Sequence, residues 1–368
     1  MYAEEAVLRN LEVLERIEGR GAASKSSREH PVDIKDILEP ANVRSNARSM
    51  PGSEQNAMSV LLEGAGFRAI TDRAFLRIIG SDATRWLNGM VSNSIQALEP
   101  GEGNYNFLLN AQGRIQGDAT VYRETTAEPA EFLLATGATQ VETIQKHLDH
   151  FIIMDDIELT PAYADEAGLL VVGMRAAEAL GKVGLPAIDP LRLVHADTEH
   201  GPVLLLTPAS GKVPVFELRG ATATIDAVRN ALQVPEVSAE ALEFLRLLDA
   251  RPLFGQDIRD RDLPQETAQA QALHFAKGCY LGQEIVERIR SRGQVHRRFT
   301  AFRLTGGLPA TLPAPLEAGG KPAGELTSAA LVPLVEGPAL VALGYVRQEA
   351  VDAKLELKYA GGFAVPTA

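Results

Sequence analysis

The sequence predicts an α+β protein that ends in a small β-barrel. Three observations carry this. Strand and helix patterns follow one another in mixed order, without the regular alternation of a parallel doubly wound sheet. Residues 101–123, GEGNYNFLLNAQGRIQGDATVYR, read as a hairpin with its turn at 110–113. From about His296 the chain changes to short alternating strands punctuated by Gly and Pro, as in RRFTAFRL, PAGELTSAALV and ALVALGYV.

In chain order, residues 4–18 form an amphipathic helix with Val7, Leu11, Leu14 and Ile17 near helical spacing. Residues 19–56 show no sustained period and read as a mobile arm or linker. Order resumes near Leu61. FRAITDRAFLRIIGSDATRWLNGM reads as a strand, a turn with a helix cap at Ser81 or Asp82, and a helix carrying Trp86 and Leu87. After the hairpin come a strand, EFLLAT, and a helix over TQVETIQKHLDHFII. A helix over 239–250 follows, and KGCYLGQEIVERIR begins another. The division is 1–66 for helix and arm, 67–295 for the α+β core and 296–368 for the barrel.

Composition narrows the function classes. A net charge of −12 opposes broad binding to a phosphate backbone, so no direct nucleic-acid partner is expected. No run approaches the roughly 18 apolar residues of a membrane helix, and the acidic start is unlike a signal peptide, so a soluble cytoplasmic protein is expected. With 1 cysteine in 368 residues, an intrachain disulfide and a four-cysteine metal site are excluded, and no metal site is expected. His147 and His150 have i, i+3 spacing but read as packing or surface histidines. The basic run 288–299 has two readings of equal weight. It receives an acidic tail, an acidic partner or RNA, or it is a solvated strand edge.

The lone cysteine lies in KGCYLGQE, residues 277–284. Its chemistry belongs to the thiolate, which a neighbouring ammonium or a helix N-terminus favours. Lys277 stands two residues before Cys279, helical sequence follows, and Gly278 and Gly282 allow backbone angles that a side chain forbids. A small buried apolar side chain is the alternative reading of the cysteine.

This string, with Arg288 and the Arg-Gly pair at 292–293 behind it, resembles the signature of the YgfZ-type folate-binding proteins. These assist iron–sulfur cluster assembly or repair and are related to the glycine-cleavage T-protein, an aminomethyltransferase. The resemblance extends through IIGSDATRWLNGMVSNSIQALEPGEGNYNFLLNAQGRIQGD, FLRLLDARPLFGQDI with LPQET, and AGELTSAALVP with ALGYVR, over about residues 67–350. It implies two interwoven α+β domains and a C-terminal barrel around a folate channel. It also implies tetrahydrofolate or a derivative as cofactor, and transient iron–sulfur client or assembly partners, including enzymes that modify transfer RNA. Catalytic roles fall on Cys279, Lys277 and Asp118. The cofactor falls to Arg246, Tyr105, Asp118, Gln265, Glu266, Tyr280, Gln283 and Glu284. Arg246 matches a family arginine at the folate site and Asp118 an aspartate facing the reacting nitrogen. Gln265 and Glu266 match a Pro-x-Glu turn.

Aminomethyltransferases carry a Gly-Tyr-Thr-Gly-Glu stretch where this chain has LLLTPASGKVPVFELRG, which argues against glycine cleavage itself. The expectation is therefore an accessory factor for iron–sulfur clusters. A folate-dependent one-carbon transferase or demethylase and a non-catalytic scaffold are the alternatives, so whether the chain is an enzyme stays open.

Overall fold

The computed structural model describes residues 52–124, 129–209, 211–293, 295–334 and 337–367. The expected helix over 4–18 and most of the arm lie outside the described residues. The end of the arm is helical: α1 spans Gly52–Glu63. The sequence gives little sign of α1 because its first half is polar. Its order comes from Met58 and Leu61, which are buried with Phe244, Leu247 and barrel residues such as Val332 and Leu343.

The segment read as one strand after the arm is two strands, β1 (Gly66–Ile70) and β2 (Arg73–Ile79), and they enter different sheets. The first sheet has the order β1-β7-β10-β9-β8, with β7 Ala167–Val172, β8 Leu193–Thr198, β9 Gly201–Leu206 and β10 Val215–Gly220. The second has the order β3-β4-β5-β2-β6, with β3 Gly103–Leu109, β4 Ile115–Arg123, β5 Phe132–Gly137 and β6 Glu158–Ala162. All these pairings are antiparallel. Because β1 belongs to the first sheet and β2–β6 to the second, the two α+β units are interwoven.

Each sheet buries one face under helices. In the second sheet the even positions of β2, Leu76 and Ile78, pack with Trp86 and Leu87 of α2 (Ala83–Met90) and Ile144 and Leu148 of α3 (Val141–Asp149). In the first, Leu169 and Val171 pack against α4 (Ala176–Gly181) and α5 (Thr222–Leu232). The other faces meet each other, with Phe75, Tyr122 and Leu133 against Leu193, Leu204 and Leu206. This is the period-2 alternation of a strand with both faces covered.

Helix α6 (Ala239–Leu248), capped by the Ser238 hydroxyl, leads into two short 3₁₀ turns and α7 (Gln283–Arg292). The barrel follows as β11 Arg297–Gly306, β12 Ala314–Ala318, β13 Lys321–Leu334, β14 Gly337–Arg347, the short helix α8 (Gln348–Asp352), β15 Leu357–Tyr359 and β16 Gly362–Pro366. Its closed order, β11-β14-β13-β12-β15-β16, leaves no open sheet edge. Along β11, Phe302 and Leu304 fill the barrel while Phe299 and Ala301 pack outward towards α6.

Candidate functional site

The segment Leu273–Gly282 is pinned at several points. Leu281 N–H donates to Gly89 O at the end of α2 (3.0 Å), and His274 N–H donates to Ser92 O (3.1 Å). Gly282 begins α7 at φ +83, where a Cβ would lie 2.6 Å from Asn110 O and 3.1 Å from Gly113 Cα. Gly113, at φ +68, is equally constrained by Ile285, 2.8 Å from where its own Cβ would be. The start of α7 therefore rests directly on the β3–β4 turn, and each glycine is required by the other element.

Between these anchors Cys279 is exposed to solvent. Lys277 is buried instead. Its ammonium donates to Val91 O (2.6 Å) and to Asn93 O, and lies 5.0 Å from the Tyr280 ring centroid. Burial pulls its pKa down to about 7, while the two carbonyls and the ring favour the charged form. Among the described residues it makes no ion pair, so its geometric role is to tie the loop to the segment after α2. Gln283 orders the loop by accepting from Tyr280 N–H (3.3 Å). Glu284 instead pairs with Arg288 on the exposed side of α7 (2.6 Å). Tyr280 is buried, its hydroxyl has no hydrogen-bond partner among the described residues, and burial together with Glu287 pushes its pKa up to about 12.

A second group lies on the β3–β4 hairpin. The Tyr105 hydroxyl donates to Asp118 Oδ2 (2.6 Å), and Gln140 Nε2 donates to Asp118 Oδ1 (2.7 Å). Gln140 Oε1 in turn accepts from Asp118 N–H (3.1 Å), which fixes the amide orientation. Burial and the adjacent carboxylate hold the Tyr105 phenol well above its ordinary pKa, so it acts as a donor. A carboxylate offers about four lone-pair positions and two are used here, so Asp118 keeps capacity for a ligand N–H. Tyr105 also packs against the small core of Phe107, Ile115, Tyr280 and Val286, so this hairpin and the cysteine loop lean on the same residues.

Arg246 is placed differently from the sequence expectation of a folate clamp. It is 6% exposed, and all five of its N–H groups have protein acceptors. Nε and Nη2 hold the two Glu243 oxygens (2.7 and 2.7 Å), Nη1 holds Asp257 (2.6 Å) and Arg251 O (2.7 Å), and Nη2 also reaches Ser328 (2.7 Å). It joins α6 to the barrel and has no N–H left to offer. The neighbouring arginine has the free donors. Arg251 follows Ala250, a non-glycine residue at φ +48, and precedes Pro252, which together turn the chain out of the helix. Its side chain is exposed, yet surrounding protein lowers its pKa against the attraction of the Asp249 carboxylate, and Arg246, Arg73 and Tyr105 also lie within electrostatic reach. Among the described residues its guanidinium makes no hydrogen bond or ion pair. Sequence reasoning missed Arg251 and Gln140. The Ala-Arg-Pro helix end was the available signal for the former.

The remaining sequence candidates are structural in their contacts. Gln265 Nε2 donates to Val286 O (2.9 Å), and Glu266 accepts from Leu263 N–H (3.2 Å) and Arg297 (3.1 Å). The basic run is largely neutralised: Arg290 pairs with Glu287, and Arg297 with Asp262, Glu266 and Glu325. His147 and His150 each pack edge-on against Phe151, at 5.4 and 5.1 Å. No cluster of His, Cys, Asp and Glu able to hold a metal occurs among the described residues, and none of their helices is long and apolar enough to cross a membrane.

Residues 39–198 match the family model described as GCVT N-terminal domain. The match begins well before residue 67, where the resemblance read from the sequence starts. The GCVT-type fold extends over most of the chain. The crystal structure of the glycine cleavage system aminomethyltransferase T from Bartonella henselae aligns at a TM-score of 0.74 and 20% identity, covering 85% of this chain and 87% of that one. Distant relatives divide into two groups. The iron-sulfur cluster assembly factor IBA57 homolog of Pyricularia oryzae is 29% identical over 244 residues, 64% of this chain and 56% of that protein. The aminomethyltransferase of Exiguobacterium sibiricum is 27% identical over 306 residues, 80% of this chain and 83% of that protein. The chain thus spans little more than half the length of the fungal assembly factors it matches, a second of which, from Neurospora crassa, is covered to 52%.

Proposed function

We propose that this chain is a cytoplasmic, tetrahydrofolate-binding accessory protein for iron–sulfur cluster assembly or repair in client proteins, and that Cys279 is its reactive group. The observation that carries this reading is the exposure of the only cysteine, on a loop fixed at both ends to α2 and to the hairpin that bears Asp118. A thiol packed as a small apolar residue would be hidden; this one is displayed.

The side chains around Asp118 fit a folate in their donors and acceptors. Asp118 has acceptor capacity for ring N–H groups, and Arg251 has a full set of donors for a carboxylate tail. Bound there, a tetrahydrofolate supplies nitrogens that accept or release one-carbon units. Tyr105 and Gln140 keep the Asp118 carboxylate oriented. Lys277 and Gln283 hold the cysteine loop in place. The thiolate has three available reactions: transient ligation of a cluster iron, attack on a sulfur or one-carbon adduct, and exchange with a disulfide.

A second reading, a folate-dependent one-carbon transferase, is favoured by the intact Tyr105–Asp118–Gln140 arrangement and by the 80% coverage of the chain by an aminomethyltransferase. Two measurements separate the readings. Calorimetric titration with tetrahydrofolate is expected to show binding that Arg251→Ala and Asp118→Asn each weaken about tenfold or more. No binding to the wild-type chain removes both folate readings. In a strain depending on this gene, Cys279→Ser is expected to lower iron–sulfur enzyme activity under oxidative stress. Full activity in that strain, together with turnover of methylamine-type substrates, gives the transferase reading precedence.

A further inference from the structure

The loop between α3 and β6 presents two large apolar side chains almost entirely to solvent. Ile153 is 81% and Met154 93% exposed, whereas no other large apolar side chain among the described residues exceeds 55%. Single exposed hydrophobic residues are ordinary on a protein surface. These two are adjacent, and the chain on either side turns its own apolar residues inward. Ile152 and Ile157 pack against the core of the second sheet. The exposure is confined to the tip.

The tip is held out by a fastened frame. Trp86 Nε1 of α2 donates to Phe151 O (3.1 Å), and the Phe151 ring meets His147 and His150 edge-on. On the other side, Asp156 N–H donates to Asp82 Oδ2 (3.0 Å), and the Ser81 hydroxyl donates to Asp156 Oδ2 (2.7 Å). Gly80 allows this close approach, because a Cβ there would stand 1.9 Å from Asp156 O. Arg85 bridges Asp155 (2.6 Å) and Asp82 (2.9 Å). With both ends tied to the start of α2, contact through the tip costs little further ordering of the chain. The charges around it are one-sided. Arg85 is committed to these aspartates and Lys146 to Glu142, while Asp149, Asp156 and Glu158 are exposed and make no ion pair among the described residues.

We infer that the Ile153–Met154 tip docks, in a transient complex, into an apolar socket bordered by lysine or arginine side chains on another protein. Methionine is enriched at protein interfaces and adapts its shape to the pocket it enters. The carboxylates beside the tip complement a basic rim, speed encounter with it and disfavour acidic surfaces. Two side chains are too little for a stable dimer, which buries roughly 800 Å² per partner, so a second copy of this chain is not the occupant. The same carboxylates are repelled by an anionic lipid surface, which excludes a membrane. Strand addition is disfavoured as well, because β6 is a short edge strand that carries Pro161, so side chains carry the contact. The inference uses neither Asp118 nor Cys279 and stands apart from the folate reading.

The test places a photo-crosslinking residue in the full chain inside cells, as Met154→p-benzoylphenylalanine. Irradiation is expected to give a discrete adduct with one other protein. The same probe at Lys182, an exposed position at the end of α4, is expected not to give it. That protein, once identified by mass spectrometry and purified, is expected to bind the wild-type chain in calorimetry. The paired change Ile153→Ser with Met154→Ser is expected to weaken binding about tenfold or more at an unchanged melting temperature, because both positions are exposed. Asp149→Lys, or raising salt from about 50 mM to about 300 mM, is expected to weaken it severalfold. Four results each overturn the inference: no adduct beyond that of the control position, an adduct between two copies of this chain, co-sedimentation with phosphatidylglycerol vesicles that the serine pair abolishes, or an affinity indifferent to the serine pair or to salt.

Discussion

The cysteine loop and the group around Asp118 share one small core but are constructed in opposite ways. Around Asp118 the carboxylate is held before any ligand arrives: Tyr105 and Gln140 each hold one of its oxygens, while Arg246, near the end of α6, uses all five donors within the protein. In the loop, backbone bonds and close glycine contacts hold the frame, while Cys279 itself is exposed. The difference matches two tasks. Selecting a ligand by hydrogen bonds requires preorganised donors and acceptors, whereas a thiol that reacts with outside partners must remain accessible.

The comparison makes its strongest demand on Arg246. If it is a strut between α6 and the barrel, Arg246→Ala leaves Asp257, which is 0% exposed, without its ionic partner, and destabilises the chain by about 3 kcal/mol or more in urea denaturation. A stable variant that only loses tetrahydrofolate affinity would instead return Arg246 to the role of a ligand clamp.

Lys277 gives an intermediate effect with a definite sign. Its folded pKa is lowered to about 7 from the model-compound value of 10.5, so between those values the unfolded chain binds more protons. Stability therefore rises with pH across that window. The expected gain is at least about 1 kcal/mol between about pH 7 and about pH 9, and it is absent in Lys277→Met. A wild-type slope equal to that of the variant would show that the carbonyls of Val91 and Asn93 keep the ammonium fully charged.

The smallest effect belongs to the sulfur. Cys279→Ser is expected to alter stability by less than about 0.5 kcal/mol, because the side chain is exposed. A larger loss in thermal or chemical denaturation would mean that the thiol supports the fold, and would remove the contrast with the group around Asp118.

Some of this architecture was legible in the sequence because its causes are local. The hairpin turn at 110–113 carries Asn and Gly, Asp82 stands at the start of α2, and the alternation after His296 has the strand period. The glycines of KGCYLGQE signalled a close approach, although not to what. By contrast, β7–β10 were not read as a sheet, and β1 and β2 were read as one strand, because antiparallel partners far apart in sequence leave no local pattern. Helix α1 was missed because Met58 and Leu61 acquire their partners from α6 and the barrel.

Side-chain chemistry and spacing alone established a lone reactive-type residue beside a lysine, a hairpin bearing Tyr105 and Asp118, a helix bearing Arg246, and a barrel after them. Tertiary structure decided which lysine and which arginine are sealed and which groups face solvent: Lys277 and Arg246 inward, Cys279 and Arg251 outward. The physical reason is that burial and hydrogen-bond partnership belong to surroundings assembled from distant segments. The free energy of a charged group depends on those surroundings more than on the residues beside it in the chain.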